Sequence, residues 1–146
     1  MDLKPLTLAE GLEFASGIQL GTIITLRQDG RPQSSDVHHG VADGTIVFSV
    51  RPDRAKVVNI ERDGRVVYHV SHEGSYLSFD GTAEVSPAPT ETHGKPMDTL
   101  INAFRAVAKK EHPDWDEFRE AMVREQRRVV TVTPGTVVGL INPVWG

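Results

Sequence analysis

The segment "VRPDRAKVVNI" (50–60) places Arg51, Arg54 and Lys56 where a strand end runs into a helix. Aligned peptide dipoles leave roughly half a positive charge at a helix N-terminus, so its first turn favours acids and disfavours cations. With Asp53 as the N-cap, Arg54 is the first helical residue and Lys56 the third. Carboxylates that balance cations along a helix sit three or four residues ahead. Here those positions are Val57 and Val58 for Arg54, and Asn59 and Ile60 for Lys56. Asp53 can partner Arg51 or Arg54 but not all three cations. Two readings follow: solvated surface charge, or an external anion such as a phosphate held by free helix N–H groups and flanking cations.

A second polar stretch, "QSSD" (33–36), falls within a strand that returns from a hairpin. Strand alternation sets Gln33 and Ser35 on one face and Ser34 and Asp36 on the other. One face belongs to the core, so half of these groups need partners. Either the strand is an edge wetted on both sides, or it borders a planar heterocycle with donors and acceptors along its rim.

The six histidines do not read as a metal site. His38 and His39 are adjacent on a strand and point to opposite faces. The others lack the H-E-x-x-H spacing, and no cysteine supplies a thiolate. One of the adjacent pair, assigned here as His39, is expected to face a substrate pocket. No G-x-S-x-G elbow, Walker loop or dinucleotide fingerprint is present.

The elements that must position these residues are short and turn-linked. Thr7 to Glu10 has capping-box spacing and opens a helix with Leu8, Leu12 and Ala15 on one side. "GTIITLR" (21–27) is a buried strand, Asp29-Gly30 suits a type I′ turn, and "RPQSSDVHHGV" returns as one strand. Asp43-Gly44 turns into "TIVFSV" (45–50), and the cation-bearing helix stops at Gly64 as a left-handed C-cap. "RVVYHVS" and "SYLSFDGTAEV" make a second strand pair in which Gly81 marks a bulge. Leu100, Ile101, Phe104, Val107 and Ala108 repeat at helical spacing, and Pro113-Asp114 opens a further helix. That helix carries the stripe Trp115, Phe118 and Met122, read as core or dimer packing. "RVVTVTP" and "TVVGLI" close the chain as two strands. About six strands and four helices, joined mostly by tight turns, predict a mainly β antiparallel barrel with helices and exclude a parallel doubly wound sheet.

Composition sets limits. A chain of 146 residues, 38% hydrophobic and 25% charged, reads as one soluble globular domain over 1–146. A net charge of -4 argues against a nucleic-acid binder. The stretch MDLKPLTLAEGLEF does not read as a signal peptide, and no apolar run reaches the roughly 20 residues a membrane helix needs. With no cysteine, the expectation is a cytoplasmic protein with no membrane partner.

At this point a family becomes visible. "GTIITLRQDGRPQSSDV", "RPDRAKVVNIERDGRVVYHV", "SYLSFDGTAEVSP" and "HPDWDEFREAMVREQRRVVTVTP" together resemble the flavin/deazaflavin oxidoreductase superfamily. This is the split β-barrel group that includes pyridoxamine-phosphate-oxidase-like proteins, and the chain looks like the branch using the deazaflavin coenzyme F420, common in actinobacteria. The resemblance implies phosphate contacts from Arg54 and Lys56, with Asn59 one turn later, and Gln33, Ser35 and Asp36 beside the ring. It implies a homodimer with cofactors in grooves between subunits. Arg51, and the Arg124, Arg127 and Arg128 group, are candidates for the coenzyme's anionic glutamate tail. Where relatives often carry Asn this chain has Asp36, and an anionic carboxylate near a reduced, electron-rich ring is unfavourable unless it is protonated or turned away. The implied activity is hydride transfer from reduced F420 to a conjugated small molecule such as an activated alkene or enone. Tyr76 is a candidate proton donor in the substrate pocket, and Trp145 an aromatic expected to dock, the cofactor groove across the dimer being one place. Two alternatives share the fold: an FMN-dependent oxidoreductase, and a non-catalytic F420 carrier.

Overall fold

A computed structural model describes residues 5–142 of the chain. The elements run α1 (Leu8–Ser16), β1 (Leu20–Leu26), β2 (Pro32–His38), β3 (Gly40–Ala42), β4 (Thr45–Val50), α2 (Ala55–Arg62), β5 (Arg65–His72), β6 (Ser75–Val85), α3 (Lys95–Ala108), α4 (Trp115–Glu125) and β7 (Arg128–Leu140). The strands form one antiparallel sheet in the order β2-β1-β5-β6-β7-β4-β3. It curls into the expected split barrel, mainly β with four helices.

Alternation along the strands explains the curl. Ile23, Tyr68, Val70, Leu77, Phe79, Val130 and Val132 point inward and meet Ile46 and Phe48 of β4. A second cluster lies behind β4 and β7, where Val47 and Val129 pack on Met97, Leu100, Ile101 and Ala103 of α3 and Phe118 of α4. Successive residues of β4 are therefore buried on both faces, which is why "TIVF" reads as a continuous apolar run. Among the described residues no helix covers the other face of β1, β5, β6 and the C-terminal half of β7. There Leu20 and Val138 stand open, 51% and 66% exposed.

Several local expectations hold. Thr7 accepts from the Glu10 N–H and the Glu10 carboxylate reaches back, closing the capping box. Asp43 and Gly44 both take positive φ, as a type I′ turn demands. A register shift falls at Asp80/Gly81. The extra residue there is Gly135, beside Pro134, which tolerates a bulge because it has no ladder N–H to give.

Others need correction. The β1–β2 hairpin is not type I′, because of its two turn residues only Gly30 has positive φ. The Arg27 N–H bonds Arg31 O, and the loop is the three-residue kind. "RPQSSDVHHGV" is two strands, broken at His39, whose N–H turns to Gln19 O and whose ring leaves the sheet for the core. "RVVTVTP" and "TVVGLI" are one strand, since the bulge lets β7 continue past Pro134 along β6. The sheet thus has seven strands. Helix α2 ends with Asp63 as its C-cap and not at Gly64. Asp63 instead ties the chain to β5 through the Arg65 N–H and guanidinium.

Candidate functional site

A cleft of about 600 Å³ opens between the outermost strand β2, the end of β4, the start of α2 and the faces of α3 and α4. One wall is polar, formed by Asp36, His38, Ser49, Arg51, Arg54, Lys56 and Arg127. The other is apolar, formed by Leu100, Ala103, Phe104, Val107, Phe118 and Met122.

The cations arrive there because β4 stops at Val50 and the chain turns into α2. The first helical acceptor is the Arg54 carbonyl, which takes the Val57 N–H at 3.0 Å. Arg54 and not Asp53 is therefore the N-cap, and Lys56 is the second helical residue. No side chain caps the helix and no acid stands in its first turn, so the leading N–H groups and two cations share one positive patch. Burial, and then the charge of Arg54, hold the Lys56 pKa below its usual value.

Arg51 behaves differently. It pairs with Glu125 at 3.6 Å, and Arg127 binds the same carboxylate at 3.1 Å. The local search for a counter-charge missed Glu125 because it comes from the end of α4. Arg128 is also engaged, with Glu61 at 3.3 Å and Ser86 O at 2.6 Å. Among the described residues, Arg54 and Lys56 have no carboxylate partner.

The β2 residues divide as alternation predicts. Ser34, Asp36 and His38 are exposed, whereas Gln33, Ser35 and Val37 are half-buried. Asp36, Val37 and His38 line the cleft, but Gln33 and Ser35 do not. The Asp36 carboxylate accepts from the Thr22 hydroxyl at 2.8 Å, drawn across the strand pair. Asn59, 5% exposed, faces inward and donates to Thr25 Oγ1 at 3.1 Å and Gln33 Oε1 at 3.0 Å. Its own oxygen accepts from Arg62 at 2.8 Å.

Of the adjacent histidines, His38 is the one in the cleft wall. His39 is 2% exposed, with Nε2 on Ala15 O at 2.9 Å and Nδ1 on the Tyr68 hydroxyl at 2.5 Å. The Ala15 carbonyl only accepts, so Nε2 carries the proton and Tyr68 donates to Nδ1. Burial lowers the His39 pKa and raises that of Tyr68, the latter helped by the charge of Asp36. Tyr76 lies on the bare sheet face, stacked on His69 with centroids 6.2 Å apart, and does not reach the cleft of its own chain. Trp145 lies outside the described residues.

Sequence reasoning missed the apolar wall. Phe104, Phe118 and Met122 follow helical spacing, and that pattern is the same whether the face is covered by protein or by a ligand. Among the described residues no three His, Asp or Glu side chains gather as metal ligands do, and no helix is long and apolar enough to cross a membrane.

Solved structures share the fold. A conserved hypothetical protein from Mycobacterium tuberculosis matches with a TM-score of 0.74 at 20% identity, over 97% of this chain and 92% of its own. A structure described as an F420 reductase matches with a TM-score of 0.59 at 21% identity, over 82% and 89% of the two chains. A heme binding protein from Mycobacterium smegmatis matches with a TM-score of 0.68 at 21% identity, over 95% of this chain and 55% of its own. The family model for pyridoxamine 5'-phosphate oxidase matches residues 8–140. That match runs from the first residue of α1 to the last of β7, through every element of the cleft, and the chain belongs to the pyridoxamine 5'-phosphate oxidase family.

Proposed function

We propose that the cleft holds a phosphate-bearing coenzyme, F420, and that the protein is a homodimeric oxidoreductase that reduces a conjugated small molecule. The observation that carries this reading is the pair Arg54 and Lys56, without carboxylate partners at an uncapped helix start, on the wall of a cleft whose other side is apolar. The donor set fits such a group: two cations and free N–H groups for a phosphate, and Phe104, Phe118 and Met122 for a planar ring. When bound and reduced, the coenzyme supplies a hydride from its C5 carbon. The chain's own part is binding, orientation and exclusion of water. Arg54 and Lys56 fix the anionic end, and α3 and α4 keep one side of the ring dry. Asp36 is held toward Thr22, which keeps its charge off the ring. A proton donor to the product must come from solvent or from a second copy, whose bare sheet face would bring its Tyr76.

FMN is the second reading, and one observation favours it. Glu125 already neutralises Arg51 and Arg127, two of the cations expected to meet a glutamate tail. Titration of purified protein with FMN and with F420, across a salt series, separates the two. F420 is expected to bind tighter and to show the steeper salt dependence, because exposed pairs are screened over about 10 Å at 0.1 M. Glu125→Gln is expected to strengthen F420 binding and leave FMN unchanged. Tighter FMN binding throughout, indifferent to Glu125, replaces the deazaflavin by a flavin.

A further inference from the structure

Lys56 differs from the other lysines among the described residues. Lys95, Lys109 and Lys110 are exposed, and the Lys109 ammonium donates to the Ser16 carbonyl. Lys56 alone among them is half-buried, and it lines the cleft. Burial and a neighbouring cation are the two conditions that turn a lysine into a nucleophile, because both enlarge the fraction of free amine. Both act on Lys56: burial first and the charge of Arg54 second hold its pKa down. Holding an anion does not call for that property, since a fully charged lysine would serve better.

The neighbouring guanidinium decides which electrophile this amine meets. Of the arginines lining the cleft, Arg51 and Arg127 share the Glu125 carboxylate. Asp36, the acid on the same wall, is bonded to Thr22. Arg54 is left to take a phosphate. In an acyl phosphate the electrophilic carbon is one oxygen away from phosphorus. A phosphate on Arg54 therefore carries its own acyl group toward the adjoining amine. In a phosphate ester the same position is a saturated carbon, and the amine leaves it intact.

We propose that Lys56 is an acylation site, modified by small acyl phosphates that bind through Arg54. The free amine attacks the acyl carbon and an amide bond forms. The carbon–oxygen bond to phosphate breaks, inorganic phosphate leaves with the electron pair, and the amine proton passes to solvent. No electrons are gained or lost. The product is a neutral side chain beside Arg54, so acylation weakens the hold on an anionic coenzyme, and a bound coenzyme shields Lys56 in return. This rests on the reading of Arg54 and Lys56 as an anion site.

The probe is acetyl phosphate on the whole chain without coenzyme, with acetylated peptides followed over time by mass spectrometry. N-hydroxysuccinimidyl acetate, which has no phosphate, is the comparison reagent. With acetyl phosphate, Lys56 is expected to react about tenfold faster than Lys95, Lys109 or Lys110, and added inorganic phosphate to slow it. Arg54→Ser gives the helix a better cap and is expected to fold. In that variant the acetyl phosphate rate at Lys56 is expected to fall about tenfold further than the ester rate. Loss of the Arg54 charge alone slows both reagents alike, so the difference reads recognition. Acetylation spread evenly over the lysines, or equal falls for the two reagents, overturns the proposal. Protein acetylated at Lys56 is expected to bind FMN and F420 about tenfold or more weakly, and unchanged affinity overturns the regulatory role. Selective, phosphate-protected acetylation in a protein that binds neither coenzyme removes the coenzyme reading and leaves the acylation site standing. Tight coenzyme binding without selectivity at Lys56 does the reverse.

Discussion

Lys56 is charged, partly buried and beside another cation, and the fold gives it nothing in return. Its pKa is lowered, by burial first and Arg54 second. Between that lowered value and the ordinary 10.5, the unfolded chain holds more protons, so stability rises with pH across that window. Below the window the charged side chain costs stability in full. Lys56→Met is accordingly expected to melt higher than wild type at pH 7, to lose the alkaline rise, and to bind FMN or F420 about tenfold to a hundredfold more weakly. A lower melting temperature would mean that Lys56 has a structural partner. His39 carries a second pH dependence. Its folded pKa lies below 6.5, so the unfolded chain holds the extra proton as pH falls from about 6.5 to the folded value. Stability should decline there by at most about 1.4 kcal/mol per pH unit, and the decline should be absent in His39→Gln. Parallel slopes for the two proteins in urea titrations at several pH values would refute this. The cations were legible in the sequence because none of their neighbours three or four residues ahead is an acid. The role of His39 was not, since nothing local distinguishes a strand histidine facing a pocket from one bonded to Tyr68 across the core.

At the scale of the element, α2 is a helix left badly capped at the one end that faces the cleft. Its N-cap is an arginine making no side-chain bond, although Ser, Thr, Asp and Asn are the residues that suit that position. Arg54→Ser is expected to stabilise the fold by about 1 kcal/mol, in line with typical cap effects, while weakening coenzyme binding. Chemical denaturation and ligand titration on the same protein check both signs; a variant that gains stability and keeps its affinity would take Arg54 out of the anion site. The far end is tied down instead, by Asp63 to Arg65 and by Glu61 to Arg128. Capping boxes and turn dipeptides made Thr7 and Asp43-Gly44 readable in advance. The Asp63 C-cap was not, because Gly64 imitates a helix stop while serving another purpose. A Cβ at Gly64 would meet Ala83 O at 3.1 Å, so the glycine lets β6 approach.

At the scale of the molecule, the sheet face bearing Leu20, Ile24, Val67, Tyr76 and Val138 has no helix over it among the described residues, in contrast to the α3–α4 side. Exposed apolar residues on an uncovered sheet face suit an interaction site. In the proposed homodimer this face is buried. Val138→Lys should then give a monomer in light scattering at low micromolar concentration, with weaker coenzyme binding; an unchanged dimer would exclude this face from the interface. The barrel itself was legible, since tight turns between β-branched runs leave little besides an antiparallel sheet. The cleft's apolar wall was not. It is assembled from α3 and α4, and nothing in their periodicity says which turns pack on protein and which on space.

The sheet order has a consequence for the chain as it is synthesised. Among the described residues strand β4 pairs with β3 and β7 alone, so the hairpin made by residues 40–50 reaches the rest of the sheet through β7. Phe48 waits for Val130, and Ile46 for Val132. Until β7 leaves the ribosome, β1, β2, β5 and β6 can pair in sequence while β3–β4 stays a separate hairpin with apolar residues on both faces. Pairings so distant along the chain form late and slowly. The cleft, which needs β4, α3 and α4 at once, is therefore completed only once β7 has paired with β4.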